Sequence, residues 1–255
     1  MYEGFANMYD ALMTDAPYEI WAAYIDGLLG EWFKGDDGNK KNLLVLDLAC
    51  GTGNITLRLA EMGYDLIGVD ASEEMLAEAA RKAYEQNEKI LFLAQDMREL
   101  NLYGTVDAAI SVCDGMNYIL TEEDLLAVFK RVRLFLNKGG VFIFDMNTEY
   151  KFKELLKNQT FEGNGANGEA YELKNSYNAQ TKINEYHVTF FSCNEKERNA
   201  MSDPFAEIHY QRAYKPDDVC KMLLDSGFVS VITRDGYSNV PLATESARVV
   251  FIAAG

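Results

Sequence analysis

The stretch LDLACGTGN, residues 46–54, decides the fold. An apolar run ends in an acid at Asp47, a turn with two glycines follows, and helical spacing begins at Asn54. This order predicts a buried strand, a ligand-binding turn and a helix, because open α/β sheets bind ligands at the carboxyl ends of their strands. Gly51 and Gly53 would let a ligand approach the backbone closely.

The same alternation of strands and helices continues along the chain. Strands that are apolar at nearly every position are typical of a parallel sheet covered on both faces. Further strands are predicted at 66–70, 90–94, 106–112, 140–145, 229–234 and 248–253. Helices are predicted at 72–86, at 121–136 and from Pro216 to Gly227.

Two segments do not follow this alternation. Residues 158–214 alternate polar and apolar positions, which predicts an inserted antiparallel meander of three or four strands. Residues 1–33 are expected to form two amphipathic helices with a break near Asp15-Ala16-Pro17. We therefore predict a core of residues 1–157 and 215–255, with 1–34 as an N-terminal helical cap, and an inserted β subdomain of residues 158–214.

Composition restricts the partners. The 255 residues are 48% hydrophobic and 25% charged, which is typical of a globular domain. The formal net charge of −16 opposes binding to nucleic acid or anionic lipid at long range. The longest apolar runs, such as 249–254, are far shorter than the roughly 20 residues that span a bilayer. We expect no membrane partner, and a cytoplasmic protein because no signal peptide is recognisable.

Cysteine and histidine give no sign of a metal site. The four cysteines lack a CxxC spacing, which favours reduced thiols over a disulfide framework. The two histidines, His187 and His209, form no zinc-like cluster with them. We expect no bound metal.

Two cofactors compete for the glycine-rich turn. A dinucleotide site needs G-x-G-x-x-G and a free helix N-terminus for a pyrophosphate, but the third glycine position is Thr56. Asp47 lies four residues before the first glycine, where a carboxylate opposes a pyrophosphate and suits a cation. S-adenosylmethionine carries a sulfonium and an amino group and no phosphate. The turn therefore favours this cofactor over NAD.

Acids also follow the next two strands. Asp70 comes 17 residues after Gly53, close to the spacing at which an acid meets a ribose. A carboxylate there can accept hydrogen bonds from both ribose hydroxyls. Asp96 could accept from an adenine amino group, beside the backbone N–H and apolar side chain of Met97. Three acids after three successive strands indicate one binding edge.

At these positions the sequence resembles the class I S-adenosylmethionine-dependent methyltransferases. The resemblance covers most of residues 43–147 and implies a Rossmann-like fold with a mostly parallel seven-stranded sheet. The matching stretches are 46–54, 68–75, 94–100, 106–120 and 136–147. The segments FANMYD, residues 5–10, and EIHYQRAY, residues 207–214, are similar to a bacterial small-molecule subgroup.

The resemblance implies cofactor contacts for the matched residues. Asn54, directly after Gly53, stands in place of a third glycine of this class. The methionine part would be lined by Asp47, Ala49, Gly51 and Gly53. The ribose and adenine would be lined by Asp70, Ala71, Met75, Asp96 and Met97. The sulfonium and the acceptor would be faced by Cys113, Asp114 and Asn117, and Tyr9 would close over the cofactor.

Three residues are candidates for catalysis on the acceptor side: Tyr9, His209 and Arg212. His209 and Arg212 should point to opposite faces of one strand, because their separation is odd. They would share a pocket only if a bulge intervened. His209 is either a general base or a polar sheet residue, and Arg212 is either a carboxylate clamp or an ion-paired structural residue.

These residues predict an enzyme that transfers a methyl group from S-adenosylmethionine to N or O of a small molecule by in-line displacement. An alcohol or phenol would need a general base, whereas a neutral amine attacks directly. The alternatives are a protein or RNA acceptor, or a non-catalytic module that binds the cofactor. The loop after the fourth strand lacks the Pro-Pro-aromatic motif of amino-methylating DNA enzymes. We expect a monomer or a homodimer.

Overall fold

The computed structural model describes residues 9–10, 12–34, 43–164, 170–191 and 205–255, which form five α-helices and two sheets. The helices are α1 (Tyr18–Trp32), α2 (Asn54–Glu61), α3 (Glu73–Glu85), α4 (Glu122–Phe135) and α5 (Pro216–Asp225). The strands are β1 (Leu44–Leu48), β2 (Asp65–Asp70), β3 (Leu91–Ala94), β4 (Val106–Ser111), β5 (Leu136–Asn147), β6 (Thr160–Asn164), β7 (Ala170–Asn178), β8 (Ile183–Phe191), β9 (Phe205–Arg212), β10 (Ser230–Asp235) and β11 (Arg248–Ala254).

The larger sheet has seven strands in the order β10-β11-β5-β4-β1-β2-β3. The five strands β1 to β5 pair in parallel, and β11 runs antiparallel to both β5 and β10. The carboxyl ends of β1 to β5 therefore meet at one edge. The predicted Rossmann-like architecture with a mostly parallel seven-stranded sheet is confirmed.

Alternate residues of the central strands supply two cores, one on each face of this sheet. In β5, Phe142 and Phe144 pack on the face that α4 and α5 cover. Val141 and Ile143 pack on the opposite face against α1. The Phe144 ring stacks on Phe142 at 4.6 Å and on Phe251 at 4.8 Å between centroids. Burial on both faces explains why these strands are apolar at almost every position.

Local signals set the helix ends close to the predicted bounds. Ser72 Oγ accepts from the Met75 N–H, and Thr121 Oγ1 accepts from the Asp124 N–H. Pro216 occupies the first position of α5, and Gly227 follows the helix with a φ of 98°. In the N-terminal region, α1 begins directly after Pro17, as the break near 15–17 predicts.

The second sheet is the inserted meander. Its four strands are antiparallel in the order β6-β7-β8-β9, which confirms the predicted three or four strands. A π-helix, Lys151–Leu156, leads from β5 towards this sheet. After β9, the last strand of the sheet, α5 begins at Pro216. The division into a core and a subdomain stays a prediction. Residues 5–8 of the FANMYD segment lie outside the described residues.

No helix within the described ranges is long and apolar enough to cross a bilayer.

We expect Phe144→Ala to destabilise the fold by about 3–5 kcal/mol, because it removes a fully buried ring between two stacked partners. Denaturant unfolding followed by circular dichroism measures this loss. The control is Tyr84→Ala, which truncates a ring that is 87% exposed and should change stability by about 0.5 kcal/mol or less. Equal losses in the two variants would contradict the assigned core.

Candidate active site

A cavity of about 1240 Å³ lies at the edge where the parallel strands end. Its floor comes from the residues that follow β1, β2, β3 and β4, and its opposite wall from the second sheet. Tyr9, Tyr18 and Trp21 of the N-terminal region line it as well. This space is larger than the roughly 300–1,000 Å³ of pockets for single drug-sized ligands.

The wall from the second sheet follows strand periodicity. Tyr171 and Leu173 of β7, and Tyr186 and Val188 of β8, line the cavity. On β9 the lining residues are Glu207, His209 and Gln211. Successive side chains of a strand point to opposite faces, so every second residue meets the cavity. We call these seven residues the roof.

The glycine-rich turn after β1 has a left-handed backbone. Ala49 and Gly51 have φ values of 59° and 55°, and both line the cavity as expected. Gly53 differs from its predicted contact, because it is not part of the lining. Its φ is 78°, and a Cβ there would meet the Cβ of Ala79 on α3 at 3.0 Å. Gly53 is therefore required for helix packing and for the turn, not for room beside a ligand.

Asp47 is a buried acid in the floor of the cavity. Its side chain is 2% exposed, and its Oδ2 accepts from the Thr56 hydroxyl at 2.6 Å. Burial raises the pKa of Asp47 to about 7; the Thr56 hydrogen bond lowers it and the charge of Asp70 raises it. A cation beside this carboxylate would restore its charge. Thr56 stands where a dinucleotide site would have its third glycine, and its hydroxyl is the hydrogen-bond partner of Asp47.

Asp70 is held by backbone donors from two loops. Its Oδ2 accepts from the Gly51 N–H at 2.8 Å, and its Oδ1 accepts from the Ser72 N–H at 2.9 Å. Burial raises its pKa above the ordinary value, and these hydrogen bonds oppose that shift. Each oxygen keeps a further lone pair, so the carboxylate is oriented to accept a pair of hydroxyls.

The acid after β3 already has a cationic partner. Asp96 lines the cavity, but both of its carboxylate oxygens accept hydrogen bonds from the Arg98 guanidinium, at distances of 3.0 Å or less. Arg98 therefore holds the pKa of Asp96 below its ordinary value. Met97 also lines the cavity, with Ala71 and Met75 nearby in the same wall. The adenine contacts of these residues stay predictions.

The loop after β4 is also left-handed, with φ values of 71° at Cys113 and 56° at Asp114. Both residues line the cavity. The Tyr9 hydroxyl lies 3.9 Å from the Cys113 sulfur. Burial, followed by the charge of Asp114, raises the pKa of the Cys113 thiol to about 12. This thiol is therefore protonated at neutral pH and is not a nucleophile.

Tyr9 is positioned over the cavity by its neighbour. Asp10 accepts hydrogen bonds from the Thr52 hydroxyl at 2.6 Å and from the Asn54 amide at 2.8 Å. Its other oxygen pairs with the Lys82 ammonium at 2.7 Å. Asp10 is thus fastened to the glycine-rich turn, and Tyr9 beside it lines the cavity; its closure over the cofactor stays a prediction.

Two of the predicted site residues, Asn117 and Arg212, are not part of the cavity lining. The Asn117 amide donates to the carbonyls of Asn147 and Arg212 and accepts from the Asn147 N–H. It therefore joins β5 to β9. The Arg212 guanidinium donates to the Leu120 carbonyl at 2.9 Å and pairs with Glu122 at 2.9 Å. Arg212 is the ion-paired structural residue of the two alternatives.

His209 faces the cavity, opposite to Arg212, as the odd separation predicts. Its Nε2 lies 3.2 Å from a carboxylate oxygen of Glu207, and its ring meets Tyr118 edge-on at 6.0 Å. Burial lowers the pKa of His209, so the imidazole is neutral at neutral pH. His187 is not in the lining and pairs with Glu185.

Several cavity residues were missed by sequence reasoning. Gln211 lies two positions after His209, so strand periodicity could have placed it on the same face. Tyr118 and Tyr186 carried no motif. Lys151 and Arg248 reach the cavity from elements far apart in the chain, and no local signal marks them. Among the described residues, no group of three or more metal-ligating side chains occurs.

The fold and the cavity together define a protein that binds a nucleoside bearing a positive charge. A family model described as "Methyltransferase domain" matches residues 45–140. YqeM of Bacillus subtilis (strain 168), provisionally named a methyltransferase, is 36% identical over 254 residues, which cover 98% of this chain and 96% of YqeM.

Solved structures agree with this similarity. A S-adenosylmethionine-dependent methyltransferase from Clostridium acetobutylicum ATCC 824 has a TM-score of 0.81 and 32% identity, covering 98% of this chain and 97% of its own. The sugar N-methyltransferase KedS8 from Streptoalloteichus sp ATCC 53650 shares the fold with a TM-score of 0.80 at 17% identity, over 100% of this chain and 93% of KedS8. The chain belongs to the class I S-adenosylmethionine-dependent methyltransferases of bacterial type.

The donor set fits the cofactor. Asp47 is a buried acid whose charge a sulfonium or ammonium would stabilise, and Asp70 is fixed with lone pairs for a ribose. Neither arrangement suits a pyrophosphate. As a member of this family, the enzyme uses S-adenosylmethionine as its cofactor.

We expect Asp70→Ala to weaken S-adenosylmethionine binding by roughly 2–4 kcal/mol, because two charge-assisted hydrogen bonds to the ribose are lost. Titration calorimetry measures the affinity, and thermal unfolding checks that the variant folds. The matched control is Asp96→Ala, whose carboxylate is already paired with Arg98. It should weaken binding by about 1 kcal/mol or less. Unchanged affinity in a folded Asp70→Ala variant would reject the ribose contact.

The affinity for S-adenosylmethionine should rise with pH through about 7. The pKa of Asp47 lies above its ordinary value in the folded protein, so a proton must leave before the carboxylate meets a cation. At pH 6 we expect roughly tenfold weaker binding than at the plateau above pH 8. Calorimetry in buffers of different ionisation enthalpy counts the protons released.

Asp47→Asn should remove this pH dependence. The control Asp65→Asn changes an exposed acid at the start of β2 and should keep it. Retained pH dependence in Asp47→Asn would assign the titration to another group.

Proposed function

We propose that this enzyme methylates a small molecule at N or O by in-line displacement. The supporting observation is a single cavity of about 1240 Å³ whose lining joins Asp47 and Asp70 to the loop after β4 and the roof. The cofactor binds beside Asp47 and Asp70, and the acceptor enters between the loop after β4 and the roof. S-adenosylmethionine supplies an activated methyl group when it is bound.

The residues of the chain align the acceptor and exclude water. Tyr9 closes one side, and the roof closes the other. An amine acceptor attacks as a neutral base and needs no catalytic base. A hydroxyl acceptor would lose its proton to the neutral imidazole of His209, which lies 3.2 Å from the Glu207 carboxylate. Tyr9 and His209 therefore remain the candidate catalytic residues.

The other acceptors fit less well. A protein or RNA substrate needs an open surface, and the net charge of −16 opposes RNA. A module that only binds the cofactor would have no use for the part of the cavity beside the roof. KedS8, named a sugar N-methyltransferase, shares the fold and is compatible with a small acceptor. A cytoplasmic location and a monomeric or homodimeric state stay predictions.

A labelled-methyl experiment tests this function. Purified enzyme and labelled S-adenosylmethionine are incubated with a cell extract, and the products are separated by size. We expect label in compounds below about 1 kDa, the size that a pocket of this class encloses. Asp70→Ala serves as the inactive control. Label that enters protein or RNA would contradict the small-molecule acceptor, and NADH binding with no S-adenosylmethionine heat would contradict the cofactor.

A further inference from the structure

A chain of four polar side chains crosses the acceptor side of the cavity. The Lys151 ammonium donates to Asn147 Oδ1 at 2.8 Å, and Asn147 Nδ2 donates to Gln211 Oε1 at 3.1 Å. Gln211 Nε2 then donates to Asp114 Oδ2 at 2.6 Å. An ammonium can only donate and a carboxylate can only accept. The side-chain amides of Asn147 and Gln211 therefore both point their NH₂ groups towards Asp114, and the last bond of the chain is donated to the Asp114 carboxylate.

The second oxygen of Asp114 is held by a cation. Arg248 Nη2 pairs with Asp114 Oδ1 at 2.8 Å, while Nη1 pairs with Asp145. The Tyr237 hydroxyl donates to Asp145 at 2.7 Å, and Trp21 stacks over the guanidinium at 5.4 Å. Arg248 is thus committed to two carboxylates. Burial alone would raise the pKa of Asp114, but the charges of Arg248 and Lys151 and the hydrogen bonds lower it.

Three weakly acidic side chains near Asp114 keep their protons. Burial, followed by the charge of Asp114, raises the pKa of both Tyr118 and Tyr186, so these phenols stay protonated. The Cys113 thiol stays protonated for the same reasons. Asp114 is therefore a negative charge that Arg248 pairs directly and Lys151 reaches through two amides, while its neighbours Tyr118, Tyr186 and Cys113 are neutral. Aromatic faces and a carboxylate stabilise a cation, and a carboxylate whose pKa is lowered does not remove a proton from a hydroxyl.

We infer that Asp114 is a catalytic residue that receives the acceptor nitrogen, and that the acceptor is a small amine. This rests on the proposed methyl transfer. The nitrogen lone pair forms the N–C bond as the C–S bond breaks, and the electron pair of that bond stays on sulfur as a neutral thioether. The positive charge moves from sulfur to nitrogen, which later releases one proton to water. A carboxylate on the nitrogen side stabilises this movement of charge.

Gln211, Asn147 and Lys151 are positioning residues in this arrangement. They do not need to contact the acceptor, because they fix the direction of the Asp114 carboxylate from the second sheet and from the end of β5. Gln211 lies on β9, so the roof and the charged residue are aligned by the same hydrogen bond. A hydroxyl acceptor would instead depend on His209.

The test uses two cofactor analogues as probes. One is an adenosyl analogue in which a carbon bearing an ammonium group replaces the methylated sulfur, and the other is S-adenosylhomocysteine. Only the first places a positive charge on the acceptor side. In Asp114→Asn we expect the ammonium analogue to lose about tenfold or more in affinity, and S-adenosylhomocysteine roughly twofold or less, because only the analogue loses a charge-assisted hydrogen bond.

The control Asp65→Asn removes one exposed negative charge at the opposite edge and should leave the ratio of the two affinities unchanged. If Asp114→Asn does not fold, Gln211→Leu keeps the carboxylate and removes one donor, and the ratio should fall by a smaller factor. An unchanged ratio in the folded variant overturns the inference. So does an O-methylated product in the labelled-methyl experiment.

Failure of the proposed function gives a different result. If the wild-type enzyme binds neither analogue, the cofactor site itself is wrong, and the inference falls with it. If S-adenosylhomocysteine binds normally and the ratio of the two analogue affinities is the same in the wild type and in Asp114→Asn, only the amine acceptor is overturned.

Discussion

The hydrogen bond from the Gly51 N–H to the Asp70 carboxylate is the constraint on which the active site depends. It joins the turn after β1 to the end of β2, and the Ser72 N–H completes the grip on the same carboxylate. A buried carboxylate without such donors would be protonated or would draw in water. Held in this way, the Asp70 carboxylate fixes the left-handed turn that follows Asp47. The parallel sheet provides the edge, and this bond shapes the edge into a site.

Charge is distributed over this site in two separate groups. Asp47 and Asp70 lie on the floor, where no cationic side chain of the described residues is hydrogen-bonded to either, and burial raises the pKa of both. Asp114 and Asp145 lie on the acceptor side with Arg248 between them, and the pKa of Asp114 is lowered. The first pair gains its counter-charge when a cationic ligand binds. The second group is already balanced, so it can respond to a charge that moves towards it during a reaction.

The sequence predicted the features that depend on local pattern. Apolar runs identified the strands, Ser72 and Thr121 marked helix starts, and the acids Asp47 and Asp70 were singled out from their places at strand ends. The structure does not bring Asn117 and Arg212 to the cavity lining, since each is used in contacts between distant elements. Arg248 could not be predicted, because its partners Asp145 and Asp114 lie 103 and 134 positions away in the chain. Pairings between residues so far apart leave no trace in a local pattern.

Within the part of the chain that the structure describes, Gln211 joins the roof to Asn147 and Asp114 by hydrogen bonds. Tyr171, Leu173, Tyr186 and Val188 contribute shape, while Gln211 alone of the roof is bonded to Asp114. The four shape positions can therefore be exchanged without disturbing the cofactor turn or the charged residues. This makes the molecule a scaffold for protein engineering, in which the size and polarity of the accepted compound are adjusted on two strands while the methyl-donor half is kept unchanged.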